Sequence, residues 1–75
     1  MQVSEHDRQL LAYLLGKGRP TVAKIAKELG WDTEDVIQAA TRLAVDGRVT
    51  TKKSLRGMTV VITDVGVATL TSQRP

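Results

Sequence analysis

Two short stretches of helical periodicity, separated by one glycine, constrain the fold of this chain more than any other feature. Within its 75 residues, apolar side chains recur at helical spacing from Val22 to Leu29 and again from Val36 to Leu43. Gly30 lies between the two stretches, and glycine readily takes the left-handed conformation that ends a helix. The sequence therefore predicts two helices joined by a tight turn, the second and third helices of the chain.

Each predicted helix begins at a residue whose side chain can cap the first free amide groups. Thr21 precedes the second helix. Asp32 precedes the third helix, expected over residues 32–45, and Asp35 repeats the capping-box spacing three positions later. A first helix is predicted from Ser4 to Leu15, because its leucines recur on one helical face.

The segment after the third helix has the pattern of a β-hairpin. Its strands flank a predicted four-residue loop from Ser54 to Gly57, in which Gly57 is expected to have a positive φ angle. We expect Lys53 to pair with Met58 across this loop. That register places three apolar side chains on one inward face of the hairpin: Val49, Val60 and Ile62.

Shorter elements are expected on either side of these segments. Arg19 and Pro20 suit a short edge strand, and Thr63 can cap a last helix. Residues 71–75 are expected to form a frayed tail. A chain of this length has room for one core and one working surface, so residues 1–75 are predicted to form a single α+β domain.

Composition argues against several classes of function. The chain has no cysteine, which excludes disulfides and thiolate metal sites, and no apolar run approaches the roughly 20 residues that span a membrane. His6 is the only histidine, so no second histidine or cysteine is available for a metal site or a nucleophile-base pair. We therefore expect no catalytic residue, no metal and no cofactor, and a cytoplasmic location.

Charged residues are distributed unevenly along the chain. Residues 48–75 carry five lysines and arginines against one acid, whereas residues 31–47 carry one against four. A basic hairpin suits phosphate as a partner. Lysines on a hairpin can also protect a soluble sheet edge against aggregation. The charge pattern alone is compatible with both explanations.

The turn, the third helix and the start of the hairpin follow a family pattern. Its residues are Leu29-Gly30, Asp32, Val36, Leu43 seven positions later, and Gly47-Arg48-Val49. A second match follows the hairpin, at Ile62-Thr63-Asp64-Val65-Gly66. In both places the chain resembles winged helix-turn-helix transcriptional regulators of the broad MarR-like kind. The resemblance extends over nearly the whole chain and implies an α+β winged-helix fold and double-stranded DNA as the partner.

The resemblance also implies where DNA is contacted. The third helix, residues 32–45, is expected in the major groove, and the wing, residues 48–62, on the phosphate backbone. The implied base-reading residues are Ile37, Gln38, Thr41 and Arg42. The implied phosphate-binding residues are Arg19, Lys24, Lys27, Lys52, Lys53 and Arg56, with Lys17 nearby. Glutamine suits adenine, arginine suits guanine or phosphate, and isoleucine suits the thymine methyl group.

The start of the third helix is acidic, which weakens the expected affinity for DNA. Asp32, Glu34 and Asp35 lie favourably beside the free amide groups of a helix N-terminus, but they take the place that a phosphate would occupy. We therefore expect salt-sensitive binding by the domain alone, aided by a homodimer or by a DNA-binding partner protein. The alternative is a winged-helix module that binds protein through the outward stripe Ile37, Thr41 and Val45.

Two aromatic residues are assigned to structure rather than to ligand binding. Trp31 is expected to fill the core between the second and third helices, in preference to stacking on a base. Tyr13 is expected to pack beside the leucines with its hydroxyl at the surface, in preference to lining an effector pocket. Leu15, Val67 and Leu70 are available for a small dimer seam.

Overall fold

Three helices, a β-hairpin and a last helix follow one another along the chain, in the predicted order. The structure is a computed structural model and describes residues 4–55 and 57–72. Its elements are α1 (Glu5–Leu14), α2 (Val22–Leu29), α3 (Thr33–Val45), β1 (Val49–Ser54), β2 (Gly57–Ile62) and α4 (Asp64–Ser72). This is the α+β winged-helix architecture, in which three helices carry an antiparallel hairpin and a further helix follows. None of the described helices has the length and apolar character needed to traverse a lipid bilayer.

Side-chain caps explain where the first two helices begin. Ser4 Oγ accepts a hydrogen bond from the amide of Asp7 at 3.2 Å, and Thr21 Oγ1 accepts one from the amide of Lys24 at 3.2 Å. α2 ends at Gly30, whose φ of 73° is left-handed. The observed bounds of α1, α2 and α3 lie within one residue of those predicted.

The start of α3 differs from its prediction in one respect. Asp32 occupies the N-cap position, but its side chain makes no capping hydrogen bond. The predicted capping bond is therefore wrong. Asp32, Glu34 and Asp35 still lie where negative charge interacts favourably with the helix dipole.

The hairpin register is the predicted one. Lys53 pairs with Met58, and Val49 pairs with Ile62. Ser54 and Gly57 also pair, which reduces the predicted four-residue loop to two residues, and Gly57 has the expected positive φ, at 115°. The hairpin thus presents its apolar face to the helices, with Val49 and Val60 fully buried.

A third extended segment runs beside β2, one residue later than predicted. Thr21 forms an isolated antiparallel bridge with Thr59, and the amide of Val60 donates to the carbonyl of Pro20 at 3.1 Å. The edge contact predicted for Arg19 and Pro20 therefore centres on Pro20 and Thr21. It ties the loop before α2 to the hairpin.

The core lies where α1, α2, α3 and the inward face of the hairpin meet. Its largest fully buried side chains are Leu10, Leu11, Leu14, Ile25, Val36, Leu43, Val49 and Val60. Trp31 is half-buried and packs against this core, which is the structural role predicted for it. Its other face stacks on the ring of His6, with 3.8 Å between ring centroids, a contact that the sequence did not indicate.

α4 is joined to the hairpin through Thr63 and Gly66. Thr63 Oγ1 accepts from the amide of Gly66 at 3.2 Å, as the predicted cap requires, and donates to the carbonyl of Gly47 at 2.7 Å. A side chain at Gly66 would overlap the carbonyl oxygen of Arg48 and come within 2.7 Å of Ile62 Cγ1. α4 includes residues 71 and 72, which were predicted as tail, whereas residues 73–75 of that prediction lie outside the described residues.

Gly66→Ala should destabilise the fold, because the added methyl group meets backbone rather than a side chain that can move. We expect the free energy of unfolding to fall by about 2 kcal/mol, as for other overpacked sites. Urea denaturation followed by tryptophan fluorescence measures this change. Alanine favours a helix by about 1 kcal/mol over glycine, so an unchanged or higher stability would refute the steric explanation. Ala68→Gly, at an exposed position of α4, reports the helix-propensity effect alone.

Candidate nucleic-acid interface

The outward face of α3 carries the side chains that the sequence assigned to base reading. α3 buries Val36, Ala39, Ala40 and Leu43 against the core, so the intervening positions point away from it. Gln38 and Thr41 are exposed, and Ile37 is 39% exposed. The side chain of Gln38 makes no hydrogen bond with any described residue. Its amide is therefore available to a ligand.

Thr41 is only partly available, since its hydroxyl bonds within the helix. Thr41 Oγ1 donates to the carbonyl of Ile37 at 2.8 Å. A hydroxyl has one hydrogen to donate, so only its lone pairs remain for an external partner.

Arg42 does not extend freely from α3, because it is bound to α1. Its Nη2 donates to Asp7 Oδ1 at 2.7 Å and its Nε to Asp7 Oδ2 at 3.2 Å. Asp7 is the only charged residue in the described core, at 7% exposure. The hydrogen bond with Asp7 is the main cause that raises the pKa of Arg42. The guanidinium thus serves as the partner of a nearly buried carboxylate, and the DNA contact predicted for Arg42 stays a prediction.

The two wing lysines lie on opposite faces of the hairpin. Lys52 pairs with Thr59 and Lys53 with Met58, and consecutive side chains of a strand point to opposite sides. Both lysines are exposed. Their side chains therefore leave the strand in opposite directions. Arg56, the third predicted wing cation, lies outside the described residues.

Arg48 contributes less free charge to the wing than its position suggests. Its Nη1 contacts Asp46 Oδ2 at 2.5 Å, and its Nε donates to Thr69 Oγ1 at 2.9 Å. Only 18% of its side chain is exposed. Arg48 therefore ties the start of the hairpin to α4.

A small cationic pocket lies where the end of α1 meets the start of α2. Its volume is about 230 Å³ and its lining residues are Tyr13, Lys17, Arg19, Pro20, Thr21 and Lys24. Lys17 Nζ lies 5.2 Å from the centroid of the Tyr13 ring. None of the three pocket cations forms an ion pair with a described residue. Two predicted phosphate-binding residues, Arg19 and Lys24, thus come together here, whereas Lys27 is exposed on α2 outside the lining.

The pocket is too small for a large effector. Pockets for drug-sized ligands usually measure about 300–1,000 Å³, and this one, at about 230 Å³, is smaller. Its polar lining favours an anion such as a phosphate group over an aromatic ligand.

One lining residue of the pocket, Thr21, is connected to Lys52 through the sheet. Thr59 pairs with Lys52 on one side and with Thr21, a lining residue, on the other. Paired residues project from the same face of a sheet, about 5 Å apart. Thr21, Thr59 and Lys52 therefore lie on one face of the sheet, with roughly 10 Å between the backbone positions of Thr21 and Lys52.

Tyr13 is held at the pocket by a carboxylate. Its hydroxyl donates to Glu28 Oε1 at 2.6 Å, while its ring is half-buried beside the core, as predicted. The hydrogen bond to Glu28 is the main cause that raises the pKa of Tyr13 to about 12. The same bond lowers the pKa of Glu28.

The titration of Tyr13 should report this contact. A tyrosine whose pKa is raised on folding from 10.0 to about 12 stabilises the fold below pH 10, and this contribution disappears as the pH rises from 10 towards 12. Tyr13 is the only tyrosine, so ultraviolet absorbance of tyrosinate follows it directly. Glu28→Gln should return the pKa towards about 10, and Glu34→Gln, on the exposed face of α3, should leave it unchanged. A wild-type pKa near 10 would exclude the contact in solution.

The ion pair between Asp7 and Arg42 should be measurable as a coupling free energy. Asp7→Asn and Arg42→Gln should each lower the free energy of unfolding by about 1–3 kcal/mol, because the partner left behind loses a charged hydrogen bond. The double variant should be more stable than the sum of the two losses implies, by about 1–2 kcal/mol. Urea denaturation of the four proteins tests this. Strictly additive losses would show that the two side chains do not interact.

Solved structures share this fold, although no protein-family model and no curated protein sequence matches the chain. BpsR from Bordetella bronchiseptica, whose DNA binding is regulated by 6-hydroxynicotinic acid, is 18% identical, with a TM-score of 0.83 over 93% of this chain and 52% of its own. A MarR family protein from Bacillus stearothermophilus is 14% identical, with a TM-score of 0.82 over 96% of this chain and 51% of its own.

A third similar structure is that of wild-type MarR from E. coli. It is 20% identical, with a TM-score of 0.82 over 93% of this chain and 54% of its own. The chain thus spans about half the length of these structures. At these identities the comparison concerns the fold. The chain has the winged helix-turn-helix fold of the MarR-type transcriptional regulators, as its sequence pattern predicted.

Proposed function

We propose that this domain binds double-stranded DNA as part of a transcriptional regulator, with α3 in the major groove and the wing, residues 48–62, on the phosphate backbone. The observation that carries the proposal is the arrangement of α3 and β1. The two elements pack against each other, while Gln38 on one and the wing lysines on the other remain exposed. A helix and a strand side by side can contact a groove and its adjacent backbone together.

Unpaired cations on the loop and the wing support a phosphate partner. Lys17, Arg19 and Lys24 share one pocket, and Lys52 lies on the same face of the sheet as Thr21, which lines that pocket. Each phosphate contact releases counterions and adds about 0.9 to the slope of log affinity against log salt concentration. A handful of such contacts gives binding that is measurable at low salt and falls steeply as salt is added.

Affinity for DNA should be modest for one copy of the chain. The start of α3 holds Asp32, Glu34 and Asp35, which repel phosphate from the helix N-terminus. We expect a homodimer or a DNA-binding partner protein to raise the affinity by joining two sites. Leu15 and Val67, 53% and 38% exposed, offer apolar surface for such a contact.

A protein-binding role is the second candidate, and one observation favours it. Val45 is 82% exposed and Ile37 is 39% exposed, on the same outward side of α3 as Thr41. Exposed apolar residues at this spacing can contact a partner protein. Neither candidate requires catalysis, in accord with the transcriptional regulators among the similar structures.

Replacing Lys52 and Lys53 together with alanine should weaken binding to duplexes of every sequence and reduce the salt slope. Because the two lysines lie on opposite faces, Lys52→Ala alone should reproduce most of the loss, with a slope lower by about 0.9, and Lys53→Ala should change little. Fluorescence anisotropy with random duplex DNA at several salt concentrations measures both quantities.

Arg8→Ala is the matched control, since it removes one positive charge from α1, where Arg8 pairs with Glu5. It should leave the slope unchanged. Equal behaviour of the Arg8 and Lys52 variants would mean that total charge, and not the wing, governs binding. If amide shifts in an NMR titration with DNA at low salt are absent, the protein-binding candidate is preferred.

A further inference from the structure

We propose that α3 selects A·T base pairs through Gln38 and Ile37. The inference rests on the proposed DNA binding and specifies the class of duplex that the domain reads. Four residues of α3 were candidates for base contacts, and the contacts inside the protein leave two of them free. The chemistry of those two determines which base pairs fit.

Arg42 is the side chain of α3 best suited to guanine, and its position is fixed by Asp7. In the major groove guanine presents the acceptors N7 and O6, which arginine and lysine contact best. Arg42 is the only arginine or lysine in α3, and its Nε and Nη2 each donate one hydrogen bond to Asp7. Moving it away would leave the carboxylate of Asp7, at 7% exposure, without its partner. Arg42 therefore stays beside α1, and the base pair contacted by Gln38 is selected by other side chains.

The polar neighbours of Gln38 accept hydrogen bonds. Thr41 gives its only hydroxyl hydrogen to the carbonyl of Ile37, which leaves it as an acceptor. Glu34 is exposed one helical turn before Gln38, and an ionised carboxylate only accepts hydrogen bonds. Acceptors on the protein suit the amino groups of adenine and of cytosine alike. The choice between A·T and G·C pairs is therefore made by Gln38 and Ile37.

Gln38 itself fits adenine better than any other base. Its amide has one acceptor and two donors, and it is free of internal partners. Adenine presents the N6 donor beside the N7 acceptor, so that a glutamine amide satisfies both at once. On guanine, the carbonyl oxygen of the amide would face an acceptor.

Ile37 adds the matching apolar contact. It is the neighbour of Gln38 and is 39% exposed on the same outward side. The C5-methyl group of thymine is the apolar group that the major groove presents. Contact between the two buries apolar surface on both molecules, which favours thymine near the adenine that Gln38 contacts. Together the two residues recognise a short run of A·T pairs.

Two modified bases test the inference atom by atom. A preferred duplex is first selected from random sequences with the full chain. In that duplex, 7-deazaadenine removes the N7 acceptor, and uracil in place of thymine removes the methyl group. We expect about a tenfold loss of affinity for the first change, from one bidentate contact. For the second we expect about a fourfold loss, from one buried methyl group.

Two variants serve as each other's controls. Gln38→Ala should bind the 7-deazaadenine and adenine duplexes equally and keep its sensitivity to uracil. Ile37→Ala should bind the uracil and thymine duplexes equally and keep its sensitivity to 7-deazaadenine. Selection of guanine at the contacted positions, or sensitivity to 7-deazaadenine that persists in Gln38→Ala, would overturn the inference while leaving DNA binding intact. Failure to bind any duplex at low salt would instead refute the proposed function, and this inference with it.

Discussion

The ion pair between Asp7 and Arg42 determines what the outward face of α3 can do. Asp7 is nearly buried, and a buried carboxylate without a partner is strongly destabilising, so the fold needs a cation from α3 at this place. The arginine that satisfies it is the only cation of α3. What remains exposed on the helix is acidic at its start, amide in its middle and apolar towards its end. The need for a stable contact with α1 thus shapes the chemistry offered to a partner.

Because Arg42 is bound to Asp7, the residues expected to supply affinity for DNA differ from those expected to supply sequence specificity. The positive charge available to phosphate lies outside α3, in the pocket of Lys17, Arg19 and Lys24 and on Lys52. Phosphate contacts position a protein on DNA without reading its sequence, whereas side chains on a helix in the groove read the bases. The bridge between Thr21 and Thr59 joins the pocket to the hairpin, so the cations keep a fixed spacing relative to one another. Phosphate binding is thus assigned to the loop before α2 and to the hairpin, whereas base reading is assigned to α3.

Local patterns in the sequence were sufficient to predict the elements, and long-range contacts were not. Helical spacing, capping residues and strand alternation each involve neighbours in the chain, which is why the three helices and the register of Lys53 with Met58 were predicted correctly. The ion pair between Arg42 and Asp7 was missed because the two residues lie 35 positions apart in the chain. The bond from Tyr13 to Glu28 was missed for the same reason. The opposite faces of Lys52 and Lys53, in contrast, follow from strand alternation and were readable from the sequence.

The size of the exposed apolar stripe distinguishes the two candidate functions. A stable protein interface covers about 800 Å² on each partner, with some 20–30 residues, and lysine is depleted at its core. Ile37, Thr41 and Val45 are three side chains, and the strand β1 that packs against α3 carries the exposed lysines Lys52 and Lys53. Single DNA-binding modules bury about 600–1,000 Å² and favour positively charged surface. The same lysines that would impair a protein interface are therefore favourable when the partner is a duplex, and an apolar stripe of three side chains suits contact with thymine methyl groups better than a stable protein interface.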